Sequence, residues 1–216
     1  MDMNQTSPTD VTRALSAADA PVRLRAALQI GTSADPATIA DLIDRCAVES
    51  DFFVRDMLTW ALCRLSADIT VPPLIGELNS PKSQARSQAL HTLSKIGDRR
   101  AWPAVSALVH DTDDEVARSA WRAAVALVPS GYEAALAHDM ASELGRGDRE
   151  MALSLSRALV ALGDAAVAAL DTAASDADPA VSAHAVATQR LWDDPEGGFT
   201  LSTQIAKRVA ATGTSS

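Results

Sequence analysis

The chain has 216 residues, 47% of them hydrophobic but only 4% aromatic, and 19 Lys and Arg against 28 Asp and Glu give it a formal charge of −9. That balance opposes nucleic acid and anionic membranes, which reward a basic face, and no run of 18 apolar residues is present to span a bilayer. Cys46 and Cys63 are too few for a disulfide framework or zinc site, and the N-terminus lacks the basic-then-apolar order of a signal peptide, so a reducing cytoplasm and no cofactor are expected.

Residues 1–10 are polar and are expected to form a disordered tail. Residues 11–196 read as a repeat array. One unit recurs with its second helix, B, starting at Val22, Val54, Ala85, Val116, Met151 and Val181, so the intervals are 32, 31, 31, 35 and 30 residues. A fixed period of this size belongs to a helical solenoid using the whole length as one domain. Counting from those starts, position 5 is Ala26, Leu58, Ala89, Ala120, Leu155 and Ala185, and position 8 is Gln29, Ala61, Thr92, Ala123, Ala158 and Thr188. Small or apolar residues at positions 1, 5, 8, 9 and 12 form one buried helix stripe. Gln29 and Gln189 interrupt it in the end units, where one side faces solvent.

A shorter helix, A, precedes each B and is expected to open with proline at Pro36, Pro72-Pro73 and Pro103, where proline costs no hydrogen bond. Acidic or polar turns such as Glu49-Ser50-Asp51 and Asp111 to Glu115 join A to B and supply caps for the free amides of B. Gly31, Gly97 and Gly163 are expected to close B helices. Trp102 reads as a wedge between helices, and Trp192 as buried beneath a C-terminal helix. That helix is expected within 197–216, where Leu201, Ile205 and Val209 recur every four residues after a Pro- and Gly-containing loop.

An acidic turn followed by Val-Arg-x-x-Ala-x-x-Ala-Leu, in a unit of about thirty residues, resembles the short bacterial HEAT repeats, including their phycobilin-lyase-like variety, from Val11 to Trp192. The resemblance implies an all-α fold: a right-handed α-solenoid of about six HEAT-like helix pairs with a short C-terminal capping helix. In that family the turn Asp and the position-2 Arg form a ladder between neighbours. Arg23, Arg55 and Arg86 keep the position whereas Ala117, Ala152 and Ser182 do not, so the ladder is expected in the N-terminal half only.

B helices line the concave side of such solenoids, and positions 3, 6, 7 and 10 are expected to project there. They are Asp56, Thr59, Trp60 and Cys63, then Ser87, Leu90, His91 and Ser94, then Arg118, Trp121, Arg122 and Val125, followed by Arg157 and Arg190. The candidate ligand-binding set is therefore Trp60, Arg118, Trp121, Arg122, Arg157 and Arg190, with Asp56 and His91 at the margin. Guanidinium grips carboxylate bidentately, and Trp supplies flat apolar area. Against this, exposed arginine often serves solubility, and Trp60 and Trp121 turn inward if the phase is off by one position, a rotation of about 100°.

No catalytic set stands out. His91, His110, His138 and His184 are isolated, none is followed by Glu, and the paired His-Glu metal sites of HEAT-type deoxyhypusine hydroxylases are missing. The expected function is a non-enzymatic scaffold binding a protein or acidic peptide on its concave face. Two alternatives rest on resemblance. HEAT-like DNA alkylpurine glycosylases place Trp, Asp and Arg in the groove, which Asp56, Trp60 and Arg118 or Arg122 echo, although Lys82, Lys95 and Lys207 are few for gripping phosphates. A chromophore-lyase-like subunit is suggested by the repeat subtype alone.

Overall fold

The protein is described here by a computed structural model, from residue 8 to residue 194; the expected capping helix and most of the expected tail lie outside the described residues. Every described element is helical, as an alanine-rich chain poor in β-branched and aromatic runs favours. The chain divides into two compact units, residues 1–127 and 128–216. The division falls at Val128-Pro129-Ser130-Gly131, in the longest interval between repeats. Proline cannot donate in a continuing helix, and Gly131 takes a positive φ of 92°.

Among the described residues the first unit holds four helix pairs: α1 (Pro8–Ala14) with α2 (Ala20–Ser33), α3 (Ile39–Cys46) with α4 (Phe52–Cys63), α5 (Ala67–Glu77) with α6 (Ser83–Ile96), and α7 (Trp102–Ser106) with α8 (Asp114–Leu127). The second holds α9 (Glu133–Ala141) with α10 (Arg149–Ala161) and α11 (Val167–Ala174) with α12 (Pro179–Asp193). Each A helix packs on its own B. The B helices stack in succession, α2 on α4, α4 on α6 and α6 on α8 in the first unit, and α10 on α12 in the second. The fold is an all-α repeat solenoid. No single helix among the described residues is long and apolar enough to cross a membrane.

Helix boundaries follow the turn chemistry. The Asp51 carboxylate accepts from the Val54 amide at 3.0 Å, and Asp148 from the Met151 amide at 2.9 Å, each satisfying a free donor at the start of a B helix. Gly97 ends α6 in the left-handed region at φ 75°. Gly31 does not close α2, which runs on to Ser33 and turns at Ala34. A Cβ on Gly31 would lie 2.3 Å from Trp60 Cζ3, so this glycine admits the indole of α4. Pro72 and Pro73 do not open α5 either; the helix starts at Ala67, capped by Ser66, and carries both prolines inside. Pro103 stands in the first turn of α7, as expected.

The buried stripe is wider than the periodicity indicates. Val54, Leu58, Ala61 and Leu62 are buried as expected, but so is position 6: Ala27, Thr59, Leu90, Trp121 and Ser156. A B helix in a stack touches its own A helix and the B helices on either side, so its apolar arc must cover more than one face. The polar members of this arc are paired one repeat apart. Thr59 Oγ1 meets Thr92 Oγ1 at 3.4 Å, and Ser156 Oγ meets Thr188 Oγ1 at 2.7 Å, both joining position 6 to position 8 of the next B helix.

The arginine ladder has a fixed geometry with one missing rung. Arg23 Nη1 donates to the carbonyls of Ala17 and Ala18, and its Nε and Nη2 grip the two carboxylate oxygens of Glu49 at 2.7 and 2.8 Å. Arg86 repeats this, with Nη1 on the Ser80 carbonyl and Nε and Nη2 on Asp111 at 3.1 and 3.2 Å. Arg55 Nη1 holds the carbonyls of Glu49 and Ser50, but among the described residues no carboxylate pairs with it. In the second unit His184 does the stapling. Its Nδ1 accepts from the Gly145 amide at 3.0 Å, so Nε2 bears the proton and lies 2.9 Å from the Ala152 carbonyl and 3.1 Å from Ser156 Oγ.

Candidate functional site

Three consecutive B helices of the first unit frame a cleft of about 290 Å³. Helix α4 contributes Phe52, Arg55 and Asp56, α6 contributes Ser87, Gln88 and His91, and α8 contributes Glu115, Ser119 and Arg122. The placement follows from helical spacing. Residues 52 and 56, 87 and 91, and 115, 119 and 122 recur every three or four positions, so each set shares one face of its helix. Ser87 and Ser119 hydroxyls bond each other at 2.8 Å across the floor, fixing α6 against α8.

The cleft mixes charges. Arg122 is exposed and reaches Ser119 Oγ at 3.3 Å, while Glu115 is held by Arg118 one turn along α8. Burial lowers the His91 pKa below the usual imidazole value, and the positive charges of Lys95 and Arg122 add to that, against a smaller opposing effect of Asp56. The imidazole is therefore predominantly neutral at pH 7. Cys46 is no nucleophile: burial, then the charge of Glu49, pushes its thiol up to about 12. Among the described residues no three His, Cys, Asp or Glu side chains gather as a metal set.

Of the eight candidate residues, Asp56, His91 and Arg122 line this cleft, and Arg118 borders it through Glu115. Trp121 is corrected. It is 0% exposed, and its Nε1–H donates to the Val109 carbonyl at 2.9 Å, so it belongs to the core at position 6. Trp60 is 38% exposed on α4 but is not among the cleft's lining; its ring packs over Gly31, and the Arg64 guanidinium sits 6.0 Å from the ring centroid. Arg157 and Arg190 are exposed on α10 and α12 of the second unit. Trp192 is half-buried.

Phe52 and Phe53 escaped the sequence reading. They open α4, are 66% and 70% exposed, and meet edge to face with ring centroids 5.6 Å apart. They precede position 1, outside the stripe on which the pattern was read. Two adjacent phenylalanines off the apolar stripe, in a chain with so few aromatics, were nonetheless a readable signal.

The HEAT-repeat family model matches residues 54–126. None of the curated proteins matches the chain in sequence. Among solved structures, human deoxyhypusine hydroxylase in complex with glycerol is similar at 18% identity, with 93% of this chain and 94% of that one covered and a TM-score of 0.47. The complex of CpcE and CpcF of phycocyanin lyase from a Nostoc species is similar at 18% identity, with 97% of each chain covered and a TM-score of 0.39. A computationally designed armadillo repeat protein for modular peptide recognition gives 17% identity, 84% and 80% coverage and a TM-score of 0.29. At such identities and scores these likenesses carry nothing about activity. Over residues 54–126, from α4 to α8, the chain is thus similar to HEAT repeats.

Proposed function

We propose that the first unit is a scaffold that binds an acidic, partly apolar segment of another protein in the cleft of α4, α6 and α8. The observation that carries this reading is the exposed Phe52–Phe53 pair at the start of α4, with Phe52 lining the same cleft as Arg122. Exposed aromatic area costs free energy in water and is a common anchor in interfaces, and an adjacent guanidinium supplies charge selection. Phe52 receives an apolar side chain, Arg122 a carboxylate, and the Asp56 carboxylate and neutral His91 hydrogen-bond the segment's polar groups. This set differs from the expected Arg/Trp ladder in its aromatic member, because Trp121 is core. Of the residues behind the glycosylase-like alternative, Asp56 and Arg122 line this cleft and Trp60 does not.

The test is selection of a displayed random peptide library on the immobilised protein, with a Phe52→Ser/Arg122→Glu double variant as the counter-target. Both side chains are exposed, so the variant keeps the fold. Enrichment of peptides combining Asp or Glu with a large apolar residue, bound by the wild type and not by the variant, supports the reading. Peptides that bind both proteins alike, or no enrichment, refute it.

A further inference from the structure

The missing rung of the arginine ladder falls in this cleft. Each rung uses the residue five places before position 1 of the following B helix: Glu49 before Val54, Asp111 before Val116, and Ser80 before Ala85. All three close the same small turn, accepting an amide two residues on. Glu49 takes the Asp51 amide at 2.8 Å, Asp111 the Asp113 amide at 2.9 Å, and Ser80 Oγ the Lys82 amide at 3.4 Å. Ser80 thus keeps the local hydrogen bond and drops the charge. The Nε/Nη2 edge that binds a carboxylate in Arg23 and Arg86 has no such partner in Arg55 among the described residues, and Arg55 lines the cleft with Arg122.

We infer that Arg55 and Arg122 form a carboxylate subsite of the cleft, with an acidic side chain of the bound segment replacing the ladder carboxylate that Ser80 does not supply. The inference rests on the peptide-binding reading above and adds the position and chemistry of one contact. In a protein of net charge −9, a half-buried guanidinium without a carboxylate is an exception. Its planar edge matches a carboxylate bidentately, as its two neighbours in the ladder demonstrate. Asp56 and Glu115 line the same cleft, but Glu115 is engaged by Arg118, which limits the repulsion a ligand carboxylate meets.

The discriminating variant is Ser80→Asp, which gives Arg55 the intramolecular partner that Arg86 has in Asp111. The probes are two fluorescein-labelled octapeptides, Gly-Glu-Glu-Leu-Glu-Glu-Leu-Gly and its twin with every Glu replaced by Gln, titrated by anisotropy at low ionic strength. The wild type should bind the Glu peptide about tenfold more tightly than the Gln twin, the scale of one charge-assisted contact. Ser80→Asp should raise the melting temperature and erase most of that preference. Arg55→Lys, which keeps the charge but loses the planar edge, should fall between. An unchanged preference in a Ser80→Asp protein with raised melting temperature would overturn the subsite alone, leaving the cleft as an acidic-peptide site, whereas equal binding of the two peptides by the wild type would overturn both the subsite and the cleft's acidic selectivity. If neither peptide binds, both the subsite and the cleft reading fall.

Discussion

Glu49 joins Arg23, Arg45 and the Asp51 amide, and its neutralisation to Gln has a calculable consequence. The residue is 0% exposed and takes Arg23 through two nitrogens, Arg45 Nε at 2.8 Å and the Asp51 amide. Burial alone would raise its pKa, but the hydrogen bonds from Arg23 and Arg45 outweigh that and hold the carboxyl at about 2 instead of the ordinary 4.5. At roughly 1.4 kcal/mol per unit, the ionised form stabilises the fold by about 3 kcal/mol. Breaking a buried pair by removing one partner costs about 3–5 kcal/mol, so the two routes agree. Because the folded pKa is depressed, this stability is complete above pH 4.5 and is lost as pH falls from 4.5 toward 2. The Glu49→Gln protein should therefore be less stable by about 3–5 kcal/mol at pH 7, and the gap should close as the wild type itself is protonated. Urea unfolding of both proteins at matched pH gives the gap, with m values checking that the same surface is exposed. A gap at pH 3 equal to that at pH 7 would refute the ion-network account.

Further outcomes follow from individual contacts. Trp121→Ala should cost about 3–5 kcal/mol by thermal or urea unfolding, since it empties a fully buried site and removes the bond to Val109. Trp60→Ala should cost clearly less, because that ring is partly exposed. Gly31→Ala would ordinarily stabilise a helix by about 1 kcal/mol, but the approach of Trp60 and of the Ala61 backbone reverses the sign; adding Trp60→Ala should recover only the part due to the indole in a double-mutant cycle, since Ala61 Cα stays 2.9 Å from the new Cβ. His184 is held below its ordinary 6.5 chiefly by burial, so the neutral ring stabilises the second unit above that pH. Amide exchange of α12, corrected for intrinsic rates, should show protection falling as pH drops below 6.5, and constant protection would contradict the staple.

The repeat itself was legible because positions 1, 5, 8 and 9 are small or apolar in most of the B helices, which bury that stripe. Position 6 was not, because Thr59 and Ser156 are polar and bond the next B helix, a contact no single repeat displays, and because Trp121 is amphipathic. The same tertiary term placed Gly31 under Trp60 rather than at a helix end. Pro72 and Pro73 misled for a different reason. Proline is common in the first turn, but α5 starts one turn earlier at the Ser66 cap, and the local signal for that cap is weak beside two prolines. In the cleft, Asp56, His91 and Arg122 were legible as positions 3 and 7 of successive helices. Arg55 was assigned to the ladder, and only the geometry of Glu49, Ser80 and Asp111 separates it from Arg23 and Arg86.

The most direct measurement of the cleft's role is an amide chemical-shift map of the isotopically labelled protein titrated with the Glu octapeptide. The account predicts that the shifts centre on Phe52, Asp56, His91 and Arg122, with the Arg55 side-chain Nε–H moving in the same titration. Shifts confined to the A helices α3, α5 and α7, or to the second unit, would contradict it.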